Sequence, residues 1–205
     1  MSSIYVLGGD FMDRRSAKTE KLLKNALIKL MIEKGFDKIS IKDLTEEADI
    51  NRATFYLHYK DKYDMLERCE NKILTEINEV IDNIAKKYPN NFILPSDKEK
   101  LLPVFTFVYS YIKENADFMK VILGPNGDLS FQMKLKNFIE GWLFKNISIN
   151  HEIDKIPIKY IFTFASSAQL GIIQKWLKSG MEETPEELAS IVSDVIGSVY
   201  SGLVR

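Results

Sequence analysis

The sequence predicts an all-α fold of about nine helices. Three observations carry this. Apolar residues recur at spacings of three and four in almost every segment, and no run alternates apolar and polar residues as a half-buried strand would. The breaks between periodic segments fall at glycines that end helices and at prolines or polar caps that open them. Two domains are expected: residues 13–62 as a helix-turn-helix unit and residues 63–205 as a second helical domain.

Residues 1–12 carry no helical pattern and read as a flexible leader, with Met12 as an alternative start. Arg14, Arg15 and Lys18 follow as a basic arm, either touching phosphate or simply solvated. The first helix is expected from about Ser16 to Lys34, because Leu22, Leu23, Ala26, Leu27, Leu30 and Met31 form one apolar stripe. Gly35 is placed to stop it. Ser40 has the side chain to cap a second helix starting at Ile41. Ile41, Leu44 and Ala48 keep helical spacing before Asp49-Ile50-Asn51 breaks the run, and Asn51 can cap a third helix from Arg52 to about Tyr59. On that helix Phe55 and Tyr59, four apart, share the inner side. Arg52, Ala53, Tyr56, Leu57 and Lys60 line the other side. A short helix with a basic start and an exposed aromatic, braced by a second helix across a tight turn, suits a DNA major groove. The same spacing also fits an ordinary helical hairpin of a core.

A fourth helix is expected from Lys62 to near Ala85, with Leu66, Ile73 and Ile77 on one side. The stretch 88–96, with Pro89, Asn90, Asn91 and Pro95, is the clearest break. Further helices are expected over about Lys98–Asn115, Ala116–Leu123, Leu129–Asn146, Pro157–Ser179 and Pro185–Tyr200. Gly124-Pro125 marks one loop, Gly180 stops the long eighth helix, and Pro185-Glu186-Glu187 opens the last with charges that the helix dipole favours.

Composition excludes several classes. A hydrophobic content of 45% and a charged content of 28% are ordinary for a globular chain. One cysteine, Cys69, rules out an internal disulfide, and with two histidines it makes a structural zinc site and any metal site unexpected. No apolar run is long enough to span a membrane, no secretion signal is visible, and a cytoplasmic location is expected. There is no Gly-rich phosphate loop, nucleophile elbow or His-Glu-x-x-His pattern. His58 and His151 have no visible acid or nucleophile beside them. No enzyme, catalytic residue or cofactor is expected. The net charge of −1 is unevenly divided: Asp13 to Lys62 holds 12 Lys or Arg against 9 Asp or Glu, and the chain from Tyr63 onward holds 16 against 19. The sign at the N-terminal end suits phosphate.

The run Ala48-Asp49-Ile50-Asn51-Arg52-Ala53-Thr54-Phe55-Tyr56-Leu57-His58-Tyr59-Lys60-Asp61-Lys62 resembles the signature of the tetracycline-repressor (TetR) family of bacterial transcription regulators. It departs at Asp49, where the family usually has Gly; Asp tolerates a left-handed turn less well than Gly. The resemblance implies a homodimeric repressor of a double-stranded, pseudo-palindromic DNA operator. It implies Lys42, Arg52, Ala53 and Leu57 as base contacts, and Thr54, Tyr56, His58, Lys60 and Lys62 as phosphate contacts. The second domain resembles the family's regulatory half less specifically. There the resemblance implies a four-helix dimer seam, for which Ala165, Ala168, Gly171, Ala189, Ser193 and Gly197 are small enough; tight packing within one subunit is the alternative. It also implies a pocket for a small, largely apolar effector among Phe105, Tyr109, Phe118, Met119, Phe131, Phe138, Trp142 and Phe162. Those aromatics fit a plain core equally well, and a second half that binds another protein, or nothing, stays open.

Overall fold

The computed structural model of the chain describes residues 6–87, 97–125, 127–147 and 156–203, with side chains from Arg15 to Gly202. Among them are nine α-helices and one 3-10 turn, as the periodicity predicts. They are α1 (Val6–Lys34), the 3-10 turn Phe36–Lys38, α2 (Ile41–Glu47), α3 (Arg52–His58), α4 (Lys62–Ala85), α5 (Lys98–Glu114), α6 (Ala116–Ile122), α7 (Leu129–Asn146), α8 (Ile158–Lys178) and α9 (Pro185–Leu203). The chain divides into two compact units, Met1–Asn71 and Lys72–Arg205. The stretch 88–96 and His151 lie outside the described residues.

Two expectations change. The leader expected over residues 1–12 is helical from Val6, so α1 starts well before Ser16; residues 1–5 lie outside the described residues. Extending a helix that already exists costs little once its nucleus is formed, so Gly8 and Gly9 do not stop it. The unit boundary falls inside α4 rather than at its start. Met65, Leu66 and Cys69, on the first turns of α4, are buried and belong to the first unit.

In the first unit α1 packs on α2 and α2 on α3. Leu23, Ala26, Leu27, Leu30 and Met31 bury the stripe of α1, while Leu22 at its edge stays exposed. Ser40 closes α2 with a reciprocal cap: its hydroxyl accepts from the Asp43 amide at 3.2 Å, and its own amide donates to Asp43 Oδ2 at 2.7 Å. Lys34 adds an ion pair to the same carboxylate at 2.8 Å. Asp49 takes φ 51°, the left-handed turn that Gly would adopt without strain. The Ile50 amide then donates to the Thr45 carbonyl at 3.0 Å, which turns the chain into α3. Asn51 Oδ1 caps α3 by accepting from the Ala53 amide at 2.8 Å. Phe55 is wholly buried and Tyr59 nearly so, and each such side chain contributes about 1.5–3 kcal/mol by leaving water.

In the second unit α5 packs along α9, α7 along α8, and α6 against α5 and α8. The core is aromatic and aliphatic, with Tyr109, Phe118, Phe131, Leu101 and Ile112 among its fully buried side chains. Among the described residues no helix is long and apolar enough to cross a membrane.

Candidate nucleic-acid interface and ligand cavity

The outer side of α3 is open. Arg52, Ala53, Tyr56, Leu57 and Lys60 are exposed and Thr54 is half-buried, with Leu57 at 84% the most exposed large apolar residue among the described residues. An aliphatic side chain left in water on a helix of seven residues has no packing role in the chain that carries it. It is placed to meet an apolar group of a partner, such as a thymine methyl. Arg52 is held in position by its own helix. One guanidinium nitrogen donates to the Tyr56 hydroxyl at 3.1 Å, and the guanidinium carbon lies 5.6 Å from the Tyr56 ring centroid. The planar fork of Arg52 is thereby aimed along the open face with donors to spare. Lys42, on α2, is also exposed, within 3.7 Å of the Glu46 carboxylate.

Two of the five expected phosphate contacts are occupied elsewhere. The His58 side chain is only 13% exposed, with Nδ1 3.5 Å from Glu20 of α1. The Lys62 ammonium donates to the carbonyls of Asp37 at 2.8 Å and Phe36 at 3.1 Å, and it lies 4.9 Å from the Phe36 ring centroid. Lys62 therefore ties the start of α4 to the 3-10 turn, and His58 braces α3 on α1. Thr54, Tyr56 and Lys60 remain available. Sequence spacing shows that a residue follows a recognition helix, but not which carbonyls lie within its reach.

In the second unit a cavity of about 490 Å³ lies among α4, α5, α7, α8 and α9. Of the eight expected pocket residues, Phe105, Met119, Phe138, Trp142 and Phe162 line it. Tyr109, Phe118 and Phe131 are fully buried outside its lining, as core. The rest of the wall is mostly aliphatic and includes Ile77, Val104, Val108, Leu135 and Ile139, which share their periodicity with any core and so give no sequence signal, together with Tyr160, Phe164, Gln169 and Tyr200. None of the lining residues is charged. Two of the lining residues each carry a side-chain nitrogen buried without a partner, Trp142 Nε1 and Gln169 Nε2, both covered by protein atoms. The other end of the Gln169 amide accepts from the Tyr109 hydroxyl at 2.9 Å. Burial pushes the Tyr109 phenol well above its ordinary pKa, so it stays protonated and keeps donating.

The residues expected at a dimer seam divide by helix. On α8, Ala168 and Gly171 are exposed and Ala165 is half-buried. On α9, Ala189 and Ser193 are buried within this chain, and the Ser193 hydroxyl donates to the Ala189 carbonyl at 2.7 Å; Gly197 is half-buried. The small size of Ala189 and Ser193 serves the close packing of α9 within the unit, whereas a Cβ added at Gly197 would meet nothing within 4 Å. The large apolar residues that α9 leaves in water are Ile191, Val195 and Val199, and α8 adds Ile158, Tyr160 and Phe164.

Comparison with known proteins agrees with the helix-turn-helix and with the domain that follows it. The family model for bacterial regulatory proteins of the tetR family matches residues 23–69, and that for the transcriptional regulator C-terminal region of TetR type matches 99–198. The chain belongs to the TetR family. This TetR-family transcriptional regulator is 35% identical over 95 residues to the HTH-type transcriptional regulator YxbF of Bacillus subtilis (strain 168), a match covering 45% of this chain and 24% of that one. It is 25% identical over 157 residues to the transposon Tn10 TetC protein of Escherichia coli, covering 64% and 79%. The chain spans only about a quarter to a third of the length of the first curated relatives it matches. Among solved structures, the fatty acid degradation regulator FadR from Bacillus halodurans superposes with a TM-score of 0.65 at 10% identity, covering 87% of this chain and 94% of that one. FadR from Bacillus subtilis in complex with stearoyl-CoA gives 0.58 at 14%, covering 90% and 99%. At these identities the likeness is one of fold. Regulators of this family are transcription factors and not enzymes, which agrees with the absence of a catalytic constellation in the sequence.

Proposed function

We propose that this TetR-family regulator is a homodimeric repressor whose α3 helices read successive major grooves of a pseudo-palindromic operator. The observation that carries the reading is the open face of α3, where Arg52 is pre-aimed by Tyr56 and Leu57 stands in water. Arg52, Ala53, Leu57 and Lys42 are the base-reading set. Thr54, Tyr56 and Lys60 hold phosphates, with His58 and Lys62 supporting the helix from behind.

The dimer is formed by α8 and α9, through Phe164, Ala168 and Gly171 of α8 and Val195 and Val199 of α9. Phe164, Ala168, Val195 and Val199 also belong to the cavity wall, so a second copy laid on this face closes the open side of the cavity. The cavity holds an apolar effector that alters the spacing of the two reading heads and releases the operator. Its volume falls within the range typical of small-molecule sites. Stearoyl-CoA in the Bacillus subtilis FadR shows a ligand with a long apolar chain on a protein of this fold.

The test is recovery of bound fragments from genomic or random DNA, followed by gel shifts at several salt concentrations. A recovered inverted repeat with half-sites about 34–36 Å apart or a multiple of it, and an affinity that falls steeply with salt, is the expected result. Recovery of no repeat overturns the reading.

A further inference from the structure

The cavity is wet along one side. Ile77, Leu101, Met119 and Ile173, which line it, are at most 3% exposed, whereas Tyr160, Phe164, Val195 and Val199, which line it too, are 42–63% exposed. Those four rim residues belong to α8 and α9. α8 is packed on α7 and α6, and α9 on α5, but the two are not packed along one another. The gap between them is the opening. The surface around it is almost uncharged. Tyr160 to Gln174 on α8 contains no charged residue, and Leu188 to Leu203 on α9 contains only Asp194, whose carboxylate is paired with Lys98 of α5 at 2.6 Å. Ile191, one turn before Val195, is exposed without lining the cavity, and so is Gly171 on α8. A small ligand in the cavity would cover the rim and leave these outer positions in water. A second copy of this face covers both, and uncharged apolar patches of this kind mark protein contacts.

We infer that the effector site is composite: a second copy of this chain supplies the wall missing between α8 and α9, so that effector binding and dimerisation are linked. This rests on the dimer and the effector proposed above and adds how one controls the other. In an isologous dimer the same patch faces itself, so each opening meets the rim of the partner. Small-molecule sites bury most of the ligand surface, and a ligand in one subunit alone would keep its side toward the gap in water. The full site exists only in the dimer, and a ligand that prefers the dimer stabilises it by mass action. The effector then holds the two copies together. Operator release is a rearrangement of an intact dimer rather than its dissociation into monomers.

The test uses the full chain and the neutral apolar dye N-phenyl-1-naphthylamine, whose fluorescence rises in an apolar site. Analytical ultracentrifugation reads the assembly state. Gly171→Arg and Ile191→Arg place a charge on the seam at positions outside the cavity wall, and Val108→Trp fills the cavity from α5 to show where the dye sits. The expected result is that the wild-type dimer binds the dye and Val108→Trp does not. The seam variants should be monomers with helical circular dichroism intact, and should bind the dye about tenfold more weakly or worse, since part of the dye stays in water. Dye at ten times its dissociation constant should tighten the wild-type dimer about thirtyfold or more, a factor of about five at each of its two cavities. A monomeric variant that binds the dye as tightly as wild type, a dimer that the dye leaves unchanged or loosens, or no dye binding by the wild type overturns the inference. So does dye binding unchanged in Val108→Trp, or a dimer that neither seam substitution dissociates. DNA binding is read separately by gel shift. Operator binding with a dye site complete in the monomer removes this inference alone, whereas linked dye binding without an operator removes the proposed repressor alone.

Discussion

The Lys62 ammonium donates to the Asp37 carbonyl at 2.8 Å, joining residues 25 apart in sequence. A lysine that opens the helix after a recognition helix is expected at phosphate, yet this one has two of its three donors on backbone carbonyls. Hydrogen bonds to a charged group contribute about 1.5–3 kcal/mol, and the partial exposure of this site lowers that. Lys62→Ala should therefore destabilise the first unit by about 1–2 kcal/mol in urea unfolding, and it should reduce DNA affinity with the salt slope unchanged. A slope that falls by about one, with stability intact, would return Lys62 to the phosphate contacts.

Arg52 and Tyr56 make the second prediction. Arg52→Ala removes the only guanidinium on α3 and should cost about 1–3 kcal/mol of specific binding while relaxing one position per half-site. Tyr56→Phe keeps the ring under the guanidinium but removes the hydroxyl acceptor, and should cost less and leave the recovered motif sharper. Selection from random DNA measures both. The same motif from Arg52→Ala as from the wild type would make Arg52 a backbone contact.

Acid sensitivity follows from Asp43. The Lys34 ammonium and the Ser40 hydroxyl and amide hold its carboxyl well below the usual carboxylate range. A carboxyl lowered in the folded state gives stability that is fully present above its unfolded value, near 3.8, and that is lost as pH falls through the folded value. Asp43→Asn should lower the unfolding midpoint at pH 7 and flatten the loss of stability below about pH 4. Circular dichroism melts from pH 7 to pH 2 measure it. An acid limb unchanged by the substitution would show that Asp43 carries none of the dependence.

The dimer is tested at Gly171 and Val195. A Cβ added at Gly171 meets nothing within 4 Å in its own chain, and Val195 is 52% exposed, so Arg at either position should be accommodated without unfolding the subunit. At a seam the same charge is buried unpaired, at several kcal/mol, and symmetry places it there twice. Each variant should scatter light as a monomer, keep its helical circular dichroism and lose the palindrome. A variant that stays dimeric would place the seam elsewhere.

What the sequence by itself determined is local. The caps at Ser40 and Asn51, the left-handed turn at Asp49 and the stops at Gly35 and Gly180 are all readable, because each depends on partners within a few residues or on a single φ. The open face of α3 is readable for the same reason, since its two sides follow from one helical period. Tertiary structure decided the rest. Which of eight aromatics line a cavity, whether Lys62 meets water or the Asp37 carbonyl, and whether Ala189 faces a partner or its own core depend on residues far apart in the chain. Gln169 is the sharpest case. Its orphan donor exists because Tyr109, 60 residues away, takes the other end of the amide. Helical periodicity gives which residues share a face, but the neighbour that covers that face is set by how the helices pack.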